Sequence, residues 1–475
     1  MKKTGKFCLF LCVLLLLCCI APGAQATQNT VADQSITSGT HSVDAAVALS
    51  DEGKLLKTAK TVILYERNSD TMIYTHNPDQ RIYPSSMVKL MTTLVALEKG
   101  NLSDRVTVTK TALSHLAIQY VSAGLKPGEE LTLEDLLYCV MTQSANDACL
   151  VVAEHIGGSQ EGFLLMMNEM AEKLGCLDTH YSNVHGLHDK QTYTTGRDIC
   201  RILDYALDIP AFKAMFCAPT YTVPATNMSQ ERVLHTTNHM ISRETIKKYF
   251  DERVTGGKTG YTEAAGRCLA VTAEGEGMEL LAIVMGAKHT YEADGVSLAT
   301  FGSFEEMDEL LDHTFENYTY RQIFYDGQVV AQFPVIGGAN HVVVQPTRPA
   351  AAVLPKDLND EELIWSYDQD VGAIHAPVAD GQPISALQIW FGSKCIAQTD
   401  LVAIHGVAQE QYIPPYVRTE PDNGGGSWII LLIVCAVILG IAALFFAGVR
   451  LRRFFRRMQR NIRRRRRREE RRRSR

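Results

Sequence analysis

From Trp428 to Val449 the chain runs twenty-two residues without a charge, and sixteen arginines crowd the twenty-six positions that follow. A hydrocarbon core takes about twenty apolar residues as a helix, so this segment is long enough to cross a bilayer. It divides everything before it from everything after it. Basic residues stay on the cytoplasmic side, which places the body of the chain outside and residues 450–475 inside. The tail reads in two ways: an arginine run that binds phosphate polymers, or a stop-transfer segment lying on anionic headgroups. Phe454 and Phe455 among the arginines suit the second.

At the other end, Lys2, Lys3 and Lys6 precede an apolar run, Phe7–Ile20, and a small-residue site, Ala24-Gln25-Ala26. The pattern predicts a secretory signal peptide over 1–26, cut before Thr27 and too short to span. The formal charge of −6 conceals a segregation. With the three leader lysines and the tail set apart, residues 7–449 carry −23. So acidic a body repels anionic polymers within a Debye length of roughly 10 Å, which argues against nucleic acid as its ligand. Seven of the twelve cysteines fall in that body: Cys139, Cys149, Cys176, Cys200, Cys217, Cys268 and Cys395. Their number is odd and their spacing matches no paired zinc motif. They are expected as small apolar core residues, with a disulfide left open.

Residues 27–56 are polar and small, a flexible leader. Thr61–Tyr65 and Thr71–Thr75 read as a hairpin around Arg67-Asn68-Ser69-Asp70. Pro84 then introduces a helix from Ser86 to about Glu98, apolar enough to be buried. Helical periodicity holds over Leu133–Met141, Asp147–His155 and Glu161–Leu174, the last closed by Gly175. Two apolar strands, Cys268–Thr272 and Glu279–Val284, form a second hairpin, and Glu305–Phe315 is a final amphipathic helix. Strands at both ends with helices between predict an α+β fold: an antiparallel sheet assembled from distant segments and covered by helices. Residues 325–407 read as a small all-β domain with strands at Gln328–Gln332, His341–Val344, Leu387–Trp390 and Thr399–Ala403. A linker over 408–427, containing Pro414 and Pro415, leads to the span at 428–449.

Three short motifs carry chemistry. In Ser86-Met87-Val88-Lys89 the i, i+3 spacing puts Ser86 and Lys89 on one helical face, about 5–6 Å apart at Cβ. A serine at a helix N-terminus can attack a carbonyl while its own N–H supports the oxyanion. It needs a base, and Lys89 serves only if burial and a second cation depress its pKa; Lys258 is the natural second cation. The pair taken alone reads far more readily as a capped helix with an exposed lysine, against which stand the apolar neighbours of Lys89. Ser144-Ala145-Asn146 falls in a turn between helices, where Asn146 or Ser144 could instead be an N-cap. Lys258-Thr259-Gly260 opens the sheet segment. On an edge strand it would pair with an extended peptide, with Gly260 allowing close approach and Lys258 and Thr259 facing a substrate carboxylate. His180, His185, His188 and Asp189 lie close in sequence but lack the i, i+4 helical pair of a zinc site, so no metal is expected.

The three motifs in this order resemble those of the low-molecular-mass penicillin-binding proteins, the serine-type D-alanyl-D-alanine carboxypeptidases. Tyr83–Thr92, Ser144–Ala148, His185-Gly186-Leu187 and Gly257–Thr262 all match that family's hallmark stretches, and similarity covers about residues 57–320. Ala376–Gln382 resembles part of the family's C-terminal domain. The resemblance implies a penicillin-binding/β-lactamase-like catalytic domain. It implies Ser86 as the acylated nucleophile, Lys89 as its base, and Ser144 with Lys258 in proton transfer. Asn146, Thr259, Gly260 and Tyr261 would bind substrate, and the N–H groups of Ser86 and Tyr261 would form the oxyanion hole. The expected reaction removes the terminal D-alanine from peptidoglycan stem peptides, without a cofactor. β-Lactams are the expected acylating inhibitors and cytoplasmic membrane lipids the other partner. Transpeptidase, endopeptidase or β-lactamase chemistry on the same fold, or a silent wall-binding sensor, are the alternatives. Some relatives grip the carboxylate with an arginine after the sheet hairpin; here Lys288 and His289 stand there, followed by Ala293 and Asp294.

Overall fold

The computed structural model describes residues 58–114, 120–291, 298–367, 374–410 and 427–473. The expected signal peptide, the leader, Ala293, Asp294 and most of the linker lie outside the described residues. The chain first forms β1 (Thr61–Glu66), β2 (Thr71–His76), α1 (Val88–Lys99), β3 (Arg105–Thr107), α2 (Lys110–Leu113) and β4 (Glu130–Thr132). Helices α3 (Leu133–Met141), α4 (Asn146–Gly157), α5 (Gln160–Lys173), α6 (Gly196–Leu207) and α7 (Pro210–Phe216) follow. After the hairpin of β5 (Thr220–Val223) and β6 (Arg232–His235) come β7 (Val254–Thr262), β8 (Gly266–Gly275) and β9 (Met278–Ala287). The pair β10 (His289–Tyr291) and β11 (Leu298–Phe301) leads into α8 (Gly302–Asn317).

The central sheet has the order β2-β1-β9-β8-β7, antiparallel throughout, so segments some two hundred residues apart lie side by side. β1 is buried along its whole length, which is why Thr61–Tyr65 reads as an unbroken apolar run rather than an alternating one. Its alternate residues serve two cores. Ile63 and Tyr65 join Met91, Leu94 and Val95 of α1 beneath the helical layer. Val62 and Leu64 join Met307, Leu310 and Leu311 of α8 on the other face. Local signals set the helix starts: Thr132 and Asp135 form a reciprocal capping box at α3, and Ser159 and Thr195 cap α5 and α6.

The second domain contains β12 (Tyr318–Phe324), β13 (Ala331–Phe333), β14 (Val342–Pro346), β15 (Ala350–Pro355), β16 (Leu363–Tyr367), β17 (Pro383–Phe391) and β18 (Lys394–Ala403). Five strands form a sheet of order β13-β14-β18-β17-β16, and β12 pairs with β15. The strand expected at Gln328–Gln332 forms at Ala331–Phe333 instead, and three strands escaped the sequence reading: β12, which precedes the expected domain start at 325, β15 and β16. β15 is alanine-rich and ends in proline, with little β-propensity. β16 is an edge strand whose central residues are all exposed, so it shows no alternation.

All seven cysteines of the body are free thiols, five of them buried. As a separate unit, α9 (Ser427–Arg473) contains a stretch, Ile430–Arg460, long and apolar enough to cross a membrane.

Candidate active site

Ser86 lies in a single 3-10 turn, Ser85–Met87, that precedes α1. The helix therefore starts two residues later than the spacing suggested. Ser85 adopts φ +48°, in the left-handed region that a non-glycine residue enters only at a cost of about 1–3 kcal/mol. The strained turn aims Ser86 into a cleft of about 470 Å³. Lys89 follows within α1, fully buried, with Nζ 3.1 Å from Ser86 Oγ. Its amine also donates to the His185 carbonyl. Burial holds the Lys89 pKa below the ordinary lysine value. Lys258, also fully buried, is pushed well down by burial and then by Lys89. Two ammonium groups cannot both stay charged in so dry a space. A neutral Lys89 is what a hydroxyl nucleophile needs beside it.

His185 belongs to this support rather than to a metal. Burial and the nearby Lys89 lower its pKa to about 4, and its Nδ1 accepts from Leu187 N. Gly186 (φ +86°) is pressed against the nucleophile turn: a Cβ there would lie 1.9 Å from the Ser85 carbonyl oxygen. His180 Nδ1 lies 2.8 Å from the Gln191 carbonyl, and the His188 ring stands edge-on to Tyr83. Among the described residues no group of three or more His, Cys, Asp or Glu is arranged to hold a metal ion.

Ser144 sits in the turn between α3 and α4 at φ +62°, a second strained non-glycine residue. The helix α4 is capped by Ala145 without any side-chain bond, so neither Ser144 nor Asn146 acts as a cap. Asp147 accepts from Ser122 Oγ and from the N–H groups of Ala123 and Leu125, holding that loop against the site. Asn146 opens α4 beside Ser144, donates its backbone N–H to Val121 O and is 5% exposed.

β7 is the open edge of the sheet, as β-augmentation requires. Strand alternation corrects one expectation, for Lys258 and Thr259 cannot face the same group. Lys258 pairs with Ala270 on the helical face, whereas Thr259 pairs with Leu269 on the α8 face and its hydroxyl donates to Thr237 Oγ1 at 2.5 Å. Gly260 shares the Lys258 side. A Cβ at Gly260 would lie 2.2 Å from Ser85 Oγ and 3.0 Å from Ser86 N, so only glycine lets the strand meet the nucleophile turn. The cleft thus wraps the edge of β7, lined by Ser86 and Ser144 on one side and Thr259 and Tyr261 on the other.

The model of the D-alanyl-D-alanine carboxypeptidase family matches residues 48–289, more than half of the chain. The chain belongs to this family of serine hydrolases. The model of the C-terminal domain of penicillin-binding protein 5 matches residues 318–409, which include β12. Relatives include the D-alanyl-D-alanine carboxypeptidases DacF of Bacillus subtilis and DacC of Escherichia coli. DacF is 28% identical over 78% of this chain and 91% of its own length; DacC is 30% identical over 74% and 84%. Among solved structures, penicillin-binding protein 5 from Haemophilus influenzae superposes with a TM-score of 0.60 at 28% identity, covering 74% of this chain and 98% of that one.

Within this carboxypeptidase cleft are residues that sequence reasoning did not select: Thr237, His239, Arg267 and Phe301. Thr237 and His239 sit in a stretch of loop and 3-10 turn and Phe301 ends the short strand β11, so none of the three has a periodicity to flag it. Arg267 alone left a trace, as a single charge at the head of the apolar strand Cys268–Thr272. A larger crevice of about 620 Å³ lies between the Asn68–Thr71 turn and residues of the second domain. It has no nucleophile–base pair and we place no chemistry there.

Proposed function

We propose that the protein is a membrane-anchored enzyme that removes the terminal D-alanine from peptidoglycan stem peptides through an acyl-enzyme on Ser86. A neutral Lys89 takes the Ser86 proton as Oγ attacks the penultimate carbonyl. The N–H groups of Ser86 and Tyr261 receive the oxyanion. Lys258 and Ser144 return the proton to the departing D-alanine amine, and water then releases the shortened peptide. Asn146 and the β7 edge, Thr259 to Tyr261, hold the substrate backbone. β-Lactams acylate the same serine. The catalytic domain, expected over 57–320, ends with α8 at residue 317, and the β domain, expected over 325–407, begins with β12 at 318, both outside the membrane; 428–449 span it and the basic tail lies on cytoplasmic lipid headgroups.

The observation that carries this reading is the 3.1 Å separation of Lys89 Nζ from Ser86 Oγ with the lysine fully buried. Labelling with fluorescent penicillin tests it. Wild type is expected to label and Ser86→Ala not to; an unlabelled wild type, or equal labelling of both, overturns it. Free D-alanine from a stem pentapeptide identifies the carboxypeptidase, whereas cross-linked or internally cut products would identify a transpeptidase or endopeptidase. A C-terminal epitope should stay protected from protease added outside intact cells.

A further inference from the structure

Among the described residues that line the cleft one carries a permanent charge, Arg267, and no described carboxylate neutralises it. Arg267 opens β8, in register with Tyr261 of β7. Its guanidinium carbon lies 4.1 Å from the Tyr261 ring centroid and 4.6 Å from that of Phe301. Its Nε is buried without a hydrogen-bond partner. Among the described residues, no carboxylate pairs with it. His239, beside it in the lining, is kept from sharing the charge, since burial and Arg267 itself lower its pKa. Aromatic walls on two sides orient a guanidinium and strip part of its water, and a partly desolvated charge of this kind gains from an anion brought to it. Such a site is assembled to receive an anion.

The neighbourhood says which anion, for Ser86, Thr259, Tyr261 and Arg267 line one cleft. Gly260 is the strand residue pressed on Ser86, so the scissile carbonyl lies beside it. The terminal carboxylate of the substrate is one residue further on, within about 4 Å along the chain. Tyr261 is the next residue of β7, and Arg267 is its cross-strand partner. Thr259, two residues back on the same face, adds a hydroxyl already linked to Thr237. We propose that Arg267 grips the terminal carboxylate of the substrate, forking its guanidinium onto that group from the α8 face of β7 while Ser86 attacks from the other. A guanidinium fork matches a carboxylate in a way that a lysine point charge does not. The assignment rests on the acyl-enzyme reading above, and it locates the grip on the strand before the hairpin turn rather than at Lys288.

Benzylpenicillin and its methyl ester separate the roles, because they differ only in the carboxylate. The full chain in detergent, as wild type, Arg267→Gln and Arg267→Lys, is acylated with each and the second-order rate constants are compared. For Arg267→Gln the acid is expected to lose roughly 100-fold while the ester keeps its wild-type rate, the scale of a broken, desolvated charge-assisted pair. Arg267→Lys should fall between the two on the acid and match wild type on the ester. The ester rate reports that each variant is folded. Equal losses on acid and ester would make Arg267 a packing residue and overturn the assignment, as would no loss on either. A wild type acylated by neither compound would instead bring down the Ser86 reading, and the assignment with it.

Discussion

On the helical side of β7, Lys258 and Gly260 close on the Ser86 turn, where both lysines are fully buried. On the α8 side, one residue out of phase, Thr259 is half-buried and Tyr261 is exposed to 42%. One side is dry and closely packed, with its amines driven toward neutrality. The other is open, aromatic and hydroxyl-lined, with a charge kept at its end. The period of two in an extended strand separates bond-making from recognition within a few residues. Changes on the first side should therefore strike turnover, and changes on the second the affinity for substrate.

The largest expected effect breaks the dry side. Lys89→Met should fold, since the site is apolar, yet lower penicillin acylation by about 10⁴-fold or more, as loss of a nucleophile's base does; a labelling time course measures it. Gly260→Ala comes next. Its methyl group would sit on Ser85 Oγ, displace the nucleophile turn and cost roughly 100-fold in D-alanine release. Thr259→Val sharpens the contrast from the open side: about 10-fold, mostly in KM, the cost of one hydrogen bond to a charged group. An effect confined to kcat would mean that the faces are not divided as drawn.

The smallest effect has the opposite sign. It is read in stability rather than rate: Lys258→Met, whatever it costs in turnover, should raise Tm by about 2–4 °C, what ~1 kcal/mol yields in a domain of this size. The pH dependence follows from the depressed pKa of the lysine. Between its folded value and the ordinary lysine range the unfolded chain binds a proton that the native one does not, so wild-type stability falls as pH drops across that window. The methionine variant lacks this part of the slope, and its advantage in thermal unfolding should widen toward lower pH. Acylation should fall in the same direction, because protonated Lys89 cannot accept the serine proton.

Much of this site was legible because its chemistry is local. Ser86 and Lys89 are three residues apart across one turn and the helix that follows it, and Lys258 to Gly260 form one stretch of strand. The burial of Lys89 could be read from its apolar neighbours Val88, Leu90 and Met91. What escaped depends on pairing between distant segments. Arg267 acquires meaning only opposite Tyr261, and Phe301 only once α8 packs under the sheet. The conflict between Lys258 and Thr259 was visible in principle, since adjacent strand residues point apart, but motif reading treated them as one unit. In the second domain, β14, β17 and β18 carried enough β-branched and aromatic residues to be found, while β15 did not.

That alanine-rich strand has a consequence for how the protein comes apart. Val353 packs into the catalytic core beside Tyr320, while its neighbours Ala352 and Leu354 belong to the core of the β domain. β15 is thus masonry common to two rooms. Excising residues 325–407 would remove a piece of the wall behind the catalytic sheet and leave β12 without its partner. The two domains should melt in a single calorimetric transition, and the second cannot be exchanged between relatives as a detachable cartridge.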